Sequence, residues 1–216
     1  FQRTYLPSPT EGQLQLPQLA PHVWVMGVVS FVLIGSFAIA FTSNAVNLTD
    51  GLDGLAGGTL LIASFAMMVL AWVAASQRAA AFLMVPYVPG SGELMVVAGA
   101  MAGACLGFLW FHVAPAQVFM GDTGSLAMGG LLATIAVAIR QEVLLLLIGG
   151  VFYAEAASVI AQVGWFKWTK RRHGEGRRLL LCAPIHHHFQ MVGWKETQVV
   201  GRFYLVAITL AIVALV

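Results

Sequence analysis

Six apolar stretches, each close to the length that crosses a membrane, dominate this sequence. A helix needs about 20 apolar residues to cross the hydrocarbon core of a bilayer. The stretches are Val23–Phe41, Leu55–Ser76, Leu94–Phe111, Gly124–Ile139, Val143–Phe166 and Val199–Val216. Because 59% of the residues are hydrophobic and only 9% are charged, a soluble core could not hide the apolar surface. We therefore expect an integral membrane protein.

The spacing of these stretches predicts an all-α, polytopic membrane bundle. Lipid cannot hydrogen-bond to the backbone, so only helices or closed barrels can span it. Residues 140–142 alone separate the fourth stretch from the fifth, which predicts a tight helical hairpin. The sequence thus predicts a single transmembrane domain over residues 1–216, with about six spanning helices.

One loop carries most of the positive charge and sets the predicted orientation. The basic residues after the fifth stretch are Lys167, Lys170, Arg171, Arg172, Arg177, Arg178 and Lys195. Lysine and arginine concentrate in the cytoplasmic loops of membrane proteins. Counting back through the spans predicts that the loops at 42–54 and 112–123 are also cytoplasmic. Segments 1–22, 77–93 and 140–142 are then predicted to face outward.

The segment at 44–54 (NAVNLTDGLDG) carries two carboxylates among glycines, which permit tight turns beside a ligand. With a cation present, Asp50 and Asp53 would suit a phosphate or nucleotide site. A simpler interpretation is that Asp53 caps the helix beginning near Leu55 and that residues 49–51 form an ordinary turn. The spacing of the acids does not match a calcium-binding EF-hand. The residues alone leave both interpretations open.

The segment at 115–125 (PAQVFMGDTGS) places an acid immediately before a predicted helix. Asp122 or Ser125 could cap that helix. A helix N-terminus also attracts phosphate, and a carboxylate there would suit Mg²⁺ that bridges the protein to phosphate oxygens. Cys105 and Cys182 lack the spacing of a metal site or a disulfide framework.

Two further features are a run of three histidines at 186–188 and an acid inside the fifth stretch. Consecutive histidines do not share one helix face, so contact with phosphate or proton handling is favoured over a zinc site. Glu155 lies where an ionisable group is costly and usually faces the bundle interior. Structural and catalytic roles are equally compatible with that position. By parity, the histidines are predicted to lie in a loop on the same membrane face as Asn47, Asp50, Asp53 and Asp122.

Three runs together resemble the polyprenyl-phosphate N-acetylhexosamine-1-phosphate transferases: NAVNLTDGLDG, VFMGDTGS at 118–125 and PIHHHF at 184–189. Within this group the chain is most similar to the phospho-N-acetylmuramoyl-pentapeptide transferases. The resemblance implies Mg²⁺-dependent transfer of the sugar phosphate from UDP-N-acetylmuramoyl-pentapeptide to undecaprenyl phosphate, which gives lipid I and UMP. It also implies a multi-pass protein of the bacterial inner membrane, with its site facing the cytoplasm. Its pathway would be peptidoglycan synthesis, and its partners would include a second copy in a homodimer.

The resemblance also implies roles for individual residues. Asp122 matches the Mg²⁺ ligand and Asp50 an acid essential to catalysis, while His186 and His187 match histidines that meet the diphosphate. Phe119 matches an aromatic residue that stacks on uracil. The other residues implied to bind substrate are Asn47, Gly51, Leu52, Asp53, His112 and His188. The chain departs from the family pattern at His112, where asparagine is usual, and at Leu181, where a basic residue is common.

The chain begins at Phe1 without a methionine and stops inside an apolar stretch, so we expect a fragment. It would correspond to the last six of the family's ten spans. An adjacent aspartate pair and a lysine of the site would lie upstream, so the fragment alone is expected to be inactive. The alternatives are a GlcNAc-1-phosphate transferase, an inactive membrane fragment, and an ion or metal transporter, which would hold its ionisable groups near the bilayer midplane.

Overall fold

The structure is a computed structural model that describes residues 27–216. Within that range it contains nine helices and no strand: α1 (Val28–Thr49), α2 (Leu55–Ala75), α3 (Gln77–Phe82), α4 (Gly92–His112), α5 (Gly121–Ala138), α6 (Glu142–Ile148), α7 (Gly150–His173), α8 (Ile185–Met191) and α9 (Glu196–Leu215). Five helices are long and apolar enough to cross a membrane, and α6 with α7 brings the number to six if counted as one bent span. The predicted all-α, polytopic membrane class is confirmed. The predicted outward segment 1–22 and the start of the first span at Val23 lie outside the described residues.

The first helix extends past the C-terminal end of its apolar stretch. We predicted a loop from residue 42, but α1 continues to Thr49, so that boundary and the loop placement of Asn47 are wrong. Two of the polar side chains in this part bond back to the helix itself. Asn44 donates to the carbonyl of Ala40, and Thr49 donates to the carbonyl of Ala45. Such self-satisfied polar groups let a helix continue after hydropathy has fallen.

The fifth apolar stretch is not one straight helix. α6 and α7 meet at an angle of 81°. Gly149 is the junction between them, and Gly150 is the first residue of α7. Paired small residues are a common cause of sharp helix bends. The prediction of one continuous span at 143–166 is therefore wrong, because hydropathy stays high through the break.

The second helix is the most enclosed of the spans. Within its apolar window, 61% of the residues are buried, against 17–33% in the other four unbroken spans. Its buried face is rich in alanine and glycine, which allows neighbouring helices to approach closely. Tyr204 of α9 lies across Gly58, and its hydroxyl donates to the carbonyl of Gly54 at 2.6 Å. This contact fixes α9 against the beginning of α2.

The alternating helices bring several termini together at one end of the bundle, which we call the site end. It contains the C-terminal ends of α1 and α4 and the N-terminal ends of α2, α5 and α9. Hydrogen bonds between these ends, described below, show that they meet. The opposite end holds α3 and the short connection between α5 and α6.

The topology makes a testable prediction for cysteine labelling. In a Cys105→Ala, Cys182→Ser background, Gln117→Cys and Glu175→Cys should react with an impermeant maleimide from one side of the membrane. Arg78→Cys should react only from the other side, because these exposed positions lie at opposite ends of the bundle. Permeabilised membranes provide the control in which all three react. Labelling of 117 and 78 from the same side would contradict the topology.

Candidate active site

A pocket of about 250 Å³ lies at the site end of the bundle. Its walls come from two connections, the turn between α1 and α2 and the loop between α4 and α5. It gathers seven of the residues singled out from the sequence: Asp50, Gly51, Leu52, Asp53, His112, Phe119 and Asp122. Met120 and Gly121 complete the wall.

Asp122 lies in the first turn of α5, and α1 holds its side chain. Asn47 donates from Nδ2 to Oδ1 of Asp122 at 3.0 Å and to the hydroxyl oxygen of Ser125 at 2.9 Å. The N-cap of α5 is Met120, and no side chain caps the helix. The alternative interpretation of Asp122 or Ser125 as a cap is therefore wrong. The carboxylate instead faces the pocket, beside the positive end of a helix dipole.

Asp53 joins the two connections that form the pocket. Its Oδ2 accepts a hydrogen bond from the backbone N–H of Ala116 at 2.9 Å, while its own N–H donates to Oε1 of Glu196 at 2.9 Å. The N-cap of α2 is Gly54, whose φ of 85° favours glycine, so the interpretation of Asp53 as a cap is wrong. Glu196, at the start of α9, is a contributor that we did not identify from the sequence. No motif marks it, and a glutamate in a first helical turn ordinarily only complements the dipole.

Asp50 shares the pocket with a histidine and a second acid. Its Oδ1 lies 3.9 Å from Nε2 of His112, a buried side chain. Burial raises the pKa of Asp50, His112 partly lowers it, and the like charge of Asp122 raises it further. The two carboxylates are therefore close enough to repel each other across the pocket.

His112 and Phe119 form an aromatic corner of the pocket. The backbone carbonyl of Val118 accepts a hydrogen bond from Nδ1 of His112 at 2.7 Å, so this nitrogen carries a proton. The two rings meet edge to face, with their centroids 6.1 Å apart. Phe119 is 71% exposed and lines the pocket. One large aromatic surface is thus open to a ligand.

The turn at 51–52 presents its backbone to the pocket, because other parts of the protein pack against both residues on the side away from it. The side chain of Leu52 is buried in a small cluster with Leu55, Val199 and Val200. Gly51 lies against the ring of His186, with no room for a Cβ atom between them. The glycine is required here by close approach.

The three histidines belong to the short helix α8, so their predicted placement in a loop is wrong. His186 is buried between Gly51 and Glu155. His187 bonds through Nδ1 to Oε1 of Gln190, and Nδ1 of His188 accepts from the backbone N–H of Leu181. None of the three histidines is among the residues lining the pocket. Each ring thus has its own partners.

The donor set fits a Mg²⁺ ion held jointly with a ligand. Among residues 27–216, no three His, Cys, Asp or Glu side chains converge as a metal site would require. Mg²⁺, however, is commonly bound by one or two carboxylates together with water and substrate phosphates. Asp122 and Asp50 face one pocket with like charges, and a divalent cation between them would relieve their repulsion.

Residues 9–140, more than half of the chain, match the family model described as glycosyl transferase family 4. This family contains the phospho-N-acetylmuramoyl-pentapeptide transferases and related polyprenyl-phosphate hexosamine-1-phosphate transferases, so the predicted resemblance is confirmed at the family level. The matched range includes every residue that lines the pocket. It excludes Glu155 and the three histidines of α8, which the fold brings close to the pocket. The roles of individual residues stay predictions.

The contact between Gly51 and His186 gives a prediction about stability. Gly51→Ala should destabilise the protein by roughly 1–3 kcal/mol, the usual cost of overpacking, because the added methyl meets the imidazole. The thermal-unfolding midpoint in detergent measures this effect. Gly103→Ala is the matched control, since a Cβ there meets nothing within 4 Å. In a His186→Ala background the cost should largely vanish, and an equal cost in both backgrounds would contradict the proposed clash.

Proposed function

This chain belongs to glycosyl transferase family 4, whose enzymes transfer a phospho-sugar to a polyprenyl phosphate, and we propose that its donor is UDP-N-acetylmuramoyl-pentapeptide. The acceptor would be undecaprenyl phosphate and the products lipid I and UMP. One observation carries the proposal. The pocket combines two facing carboxylates, an exposed aromatic ring and a helix N-terminus, which together suit a nucleoside diphosphate and its cation.

Phosphoryl transfer depends mainly on positioning and charge neutralisation, and the pocket residues are suited to both. Asp122 and Asp50 would hold Mg²⁺, which when bound would neutralise charge on the diphosphate. Asn47 keeps the Asp122 carboxylate oriented through its hydrogen bond. Asp53 keeps the two walls of the pocket together.

The nucleoside end of the donor is proposed to lie at the aromatic corner. Phe119 would stack on uracil, with His112 at the edge of that ring. Gly51 and Leu52 would present backbone groups. His186 packs against Gly51, and the side chain of Leu52 is buried against Val199 and Val200 of α9. These contacts bind a base by its face and its polar edge at once.

The acceptor needs little activation. A phosphate monoester has a second pKa near 6, so undecaprenyl phosphate is already largely ionised at neutral pH. The protein then has to align this phosphate with the donor and exclude competing geometries. Asp50 and the histidine helix are proposed to contribute to this alignment.

We propose that the site end faces the cytoplasm of a bacterial cell. The basic segment that follows α7 supports this orientation. A soluble UDP-linked donor would then reach the pocket from the cytoplasm, while the lipid acceptor would arrive from the membrane. A transporter is less well supported, because the candidate groups lie at helix ends.

A transfer assay with the full-length membrane protein tests the choice of donor. UDP-N-acetylmuramoyl-pentapeptide and UDP-N-acetylglucosamine are offered separately, with undecaprenyl phosphate and Mg²⁺. The run PIHHHF favours the muramoyl donor. Transfer from this donor and not from UDP-N-acetylglucosamine would support the proposal. Transfer only from the N-acetylglucosamine donor would overturn the choice of sugar but keep the family reaction.

Asp122→Asn tests the metal site. This change keeps the shape of the side chain and removes its charge, so Mg²⁺-dependent kcat should fall by about 10²–10³-fold, the usual loss for one electrostatic contact to a transition state. Glu93→Gln is the control, because the same chemical change occurs on an exposed residue at the far end of α4. Near-normal turnover of the Asn variant would rule out Asp122 as a ligand.

Phe119→Ala tests stacking on the base. Losing a base–aromatic contact costs roughly 1–3 kcal/mol, so the donor Kd should rise about 5- to 150-fold. Phe119→Trp should retain most of the affinity. Phe82→Ala removes a ring that is also mostly exposed, at the opposite end, and is the control. If calorimetry finds the same donor affinity for Phe119→Ala and wild type, the ring does not bind the base.

A further inference from the structure

A buried acid and a buried histidine meet behind the pocket. Oε2 of Glu155 lies 3.1 Å from Nδ1 of His186, and the exposed fractions of the two side chains are 0% and 1%. The backbone N–H of His186 also donates to Oε2 at 3.4 Å. The Nδ1 contact has the distance of an ion pair without the alignment of a hydrogen bond. The carboxylate and the imidazole are thus each other's close electrostatic partners.

The carboxylate has little else to stabilise it. Oε1 of Glu155 has no hydrogen-bond partner among the described residues. The hydroxyl of Ser158 donates to the backbone carbonyl of Glu155 and leaves the carboxylate unaffected. A buried carboxylate is tolerated only with a compensating charge or hydrogen bonds. The nearest group that could compensate it is the imidazole of His186.

The opposite edge of the imidazole faces the pocket wall. Nε2, Cε1 and Cδ2 are the atoms that a Cβ on Gly51 would meet. Nε2 is buried and has no hydrogen-bond partner among the described residues. Gly51 follows Asp50 directly, so this edge lies at the turn that forms one wall. The ionisable groups around the ring are Glu155 on α7, Asp50 beyond the turn and His187, whose ring centroid is 4.2 Å away.

We propose that Glu155 is a positioning residue for the transfer reaction. Its carboxylate pairs with His186 and fixes the ring, so that the imidazole supports the Asp50–Gly51 turn from behind and keeps Asp50 in the pocket. This inference rests on the proposed function. It also gives the break at Gly149 a role. Glu155 lies on α7 just after the 81° bend, and α7 carries it to the histidine helix.

Kinetics of the full-length protein test the pairing. Glu155→Gln should lower kcat by about 10²-fold, the scale of loss from a misplaced reacting group. Glu155→Asp keeps the charge and should recover much of that loss. Glu93→Gln is the matched control and should be unaffected. Detergent-solubilised variants are first compared by size-exclusion profile and unfolding midpoint.

A double-mutant cycle separates positioning from a general structural role. If Glu155 acts through His186, then Glu155→Gln should have no further effect on kcat in a His186→Ala background. A structural defect would instead lower kcat by the same factor in both backgrounds. That additive result, or wild-type kcat in Glu155→Gln, would overturn the proposal.

An NMR experiment decides the pairing independently of catalysis. With ¹⁵N-labelled histidine, the ring-nitrogen signals missing from His186→Ala identify His186 in the wild type. Glu155→Gln should shift both signals while leaving those of exposed His173 in place. Unmoved His186 signals would overturn the inference. If the wild type transfers neither sugar phosphate, the proposed function fails, and these spectra still report whether the pair exists.

Discussion

Close packing around α2 is the constraint on which the rest of the structure depends. Alanine and glycine on its buried face allow α4 and α9 to approach it, and Tyr204 fills the space above Gly58. Because the helices are this close, their ends meet at the turn that contains Asp50 and Asp53. The polar site is therefore assembled by apolar contacts that lie mostly below it. Bulkier side chains on α2 would separate the pocket walls before altering any polar residue.

The spans were predictable from the sequence because hydropathy reports the cost of placing residues in lipid. The bounds of α2 agree with its apolar run within one residue at the C-terminal end. The break at Gly149 was missed because hydropathy stays high through it, although the Gly149–Gly150 pair is a signal that could have indicated it. The extension of α1 to Thr49 was missed for the converse reason. Two of its polar side chains, Asn44 and Thr49, bond to their own helix, which hydropathy cannot register.

The candidate site was partly predictable for a similar reason. Parity predicted that two polar segments at the ends of spans lie on one face, and the structure adds that Asp50 and Asp122 line one pocket. The partners of these residues depend on tertiary packing. Glu196 carries no motif, and Glu155 was notable from the sequence only as an acid in an apolar run. His186 contacts both Glu155 and Gly51, which lie far from it in the chain, so these contacts depend on tertiary packing.

The bonds from α9 to the pocket turn also make the surrounding lipid part of the geometry. Glu196 accepts from the backbone of Asp53, and Tyr204 of the same helix donates to Gly54. A membrane helix adjusts its tilt to the thickness of the bilayer around it. Any such tilt of α9 would act through these two bonds on the wall that carries Asp50 and Asp53. Hydrocarbon thickness would thereby reach the shape of this pocket.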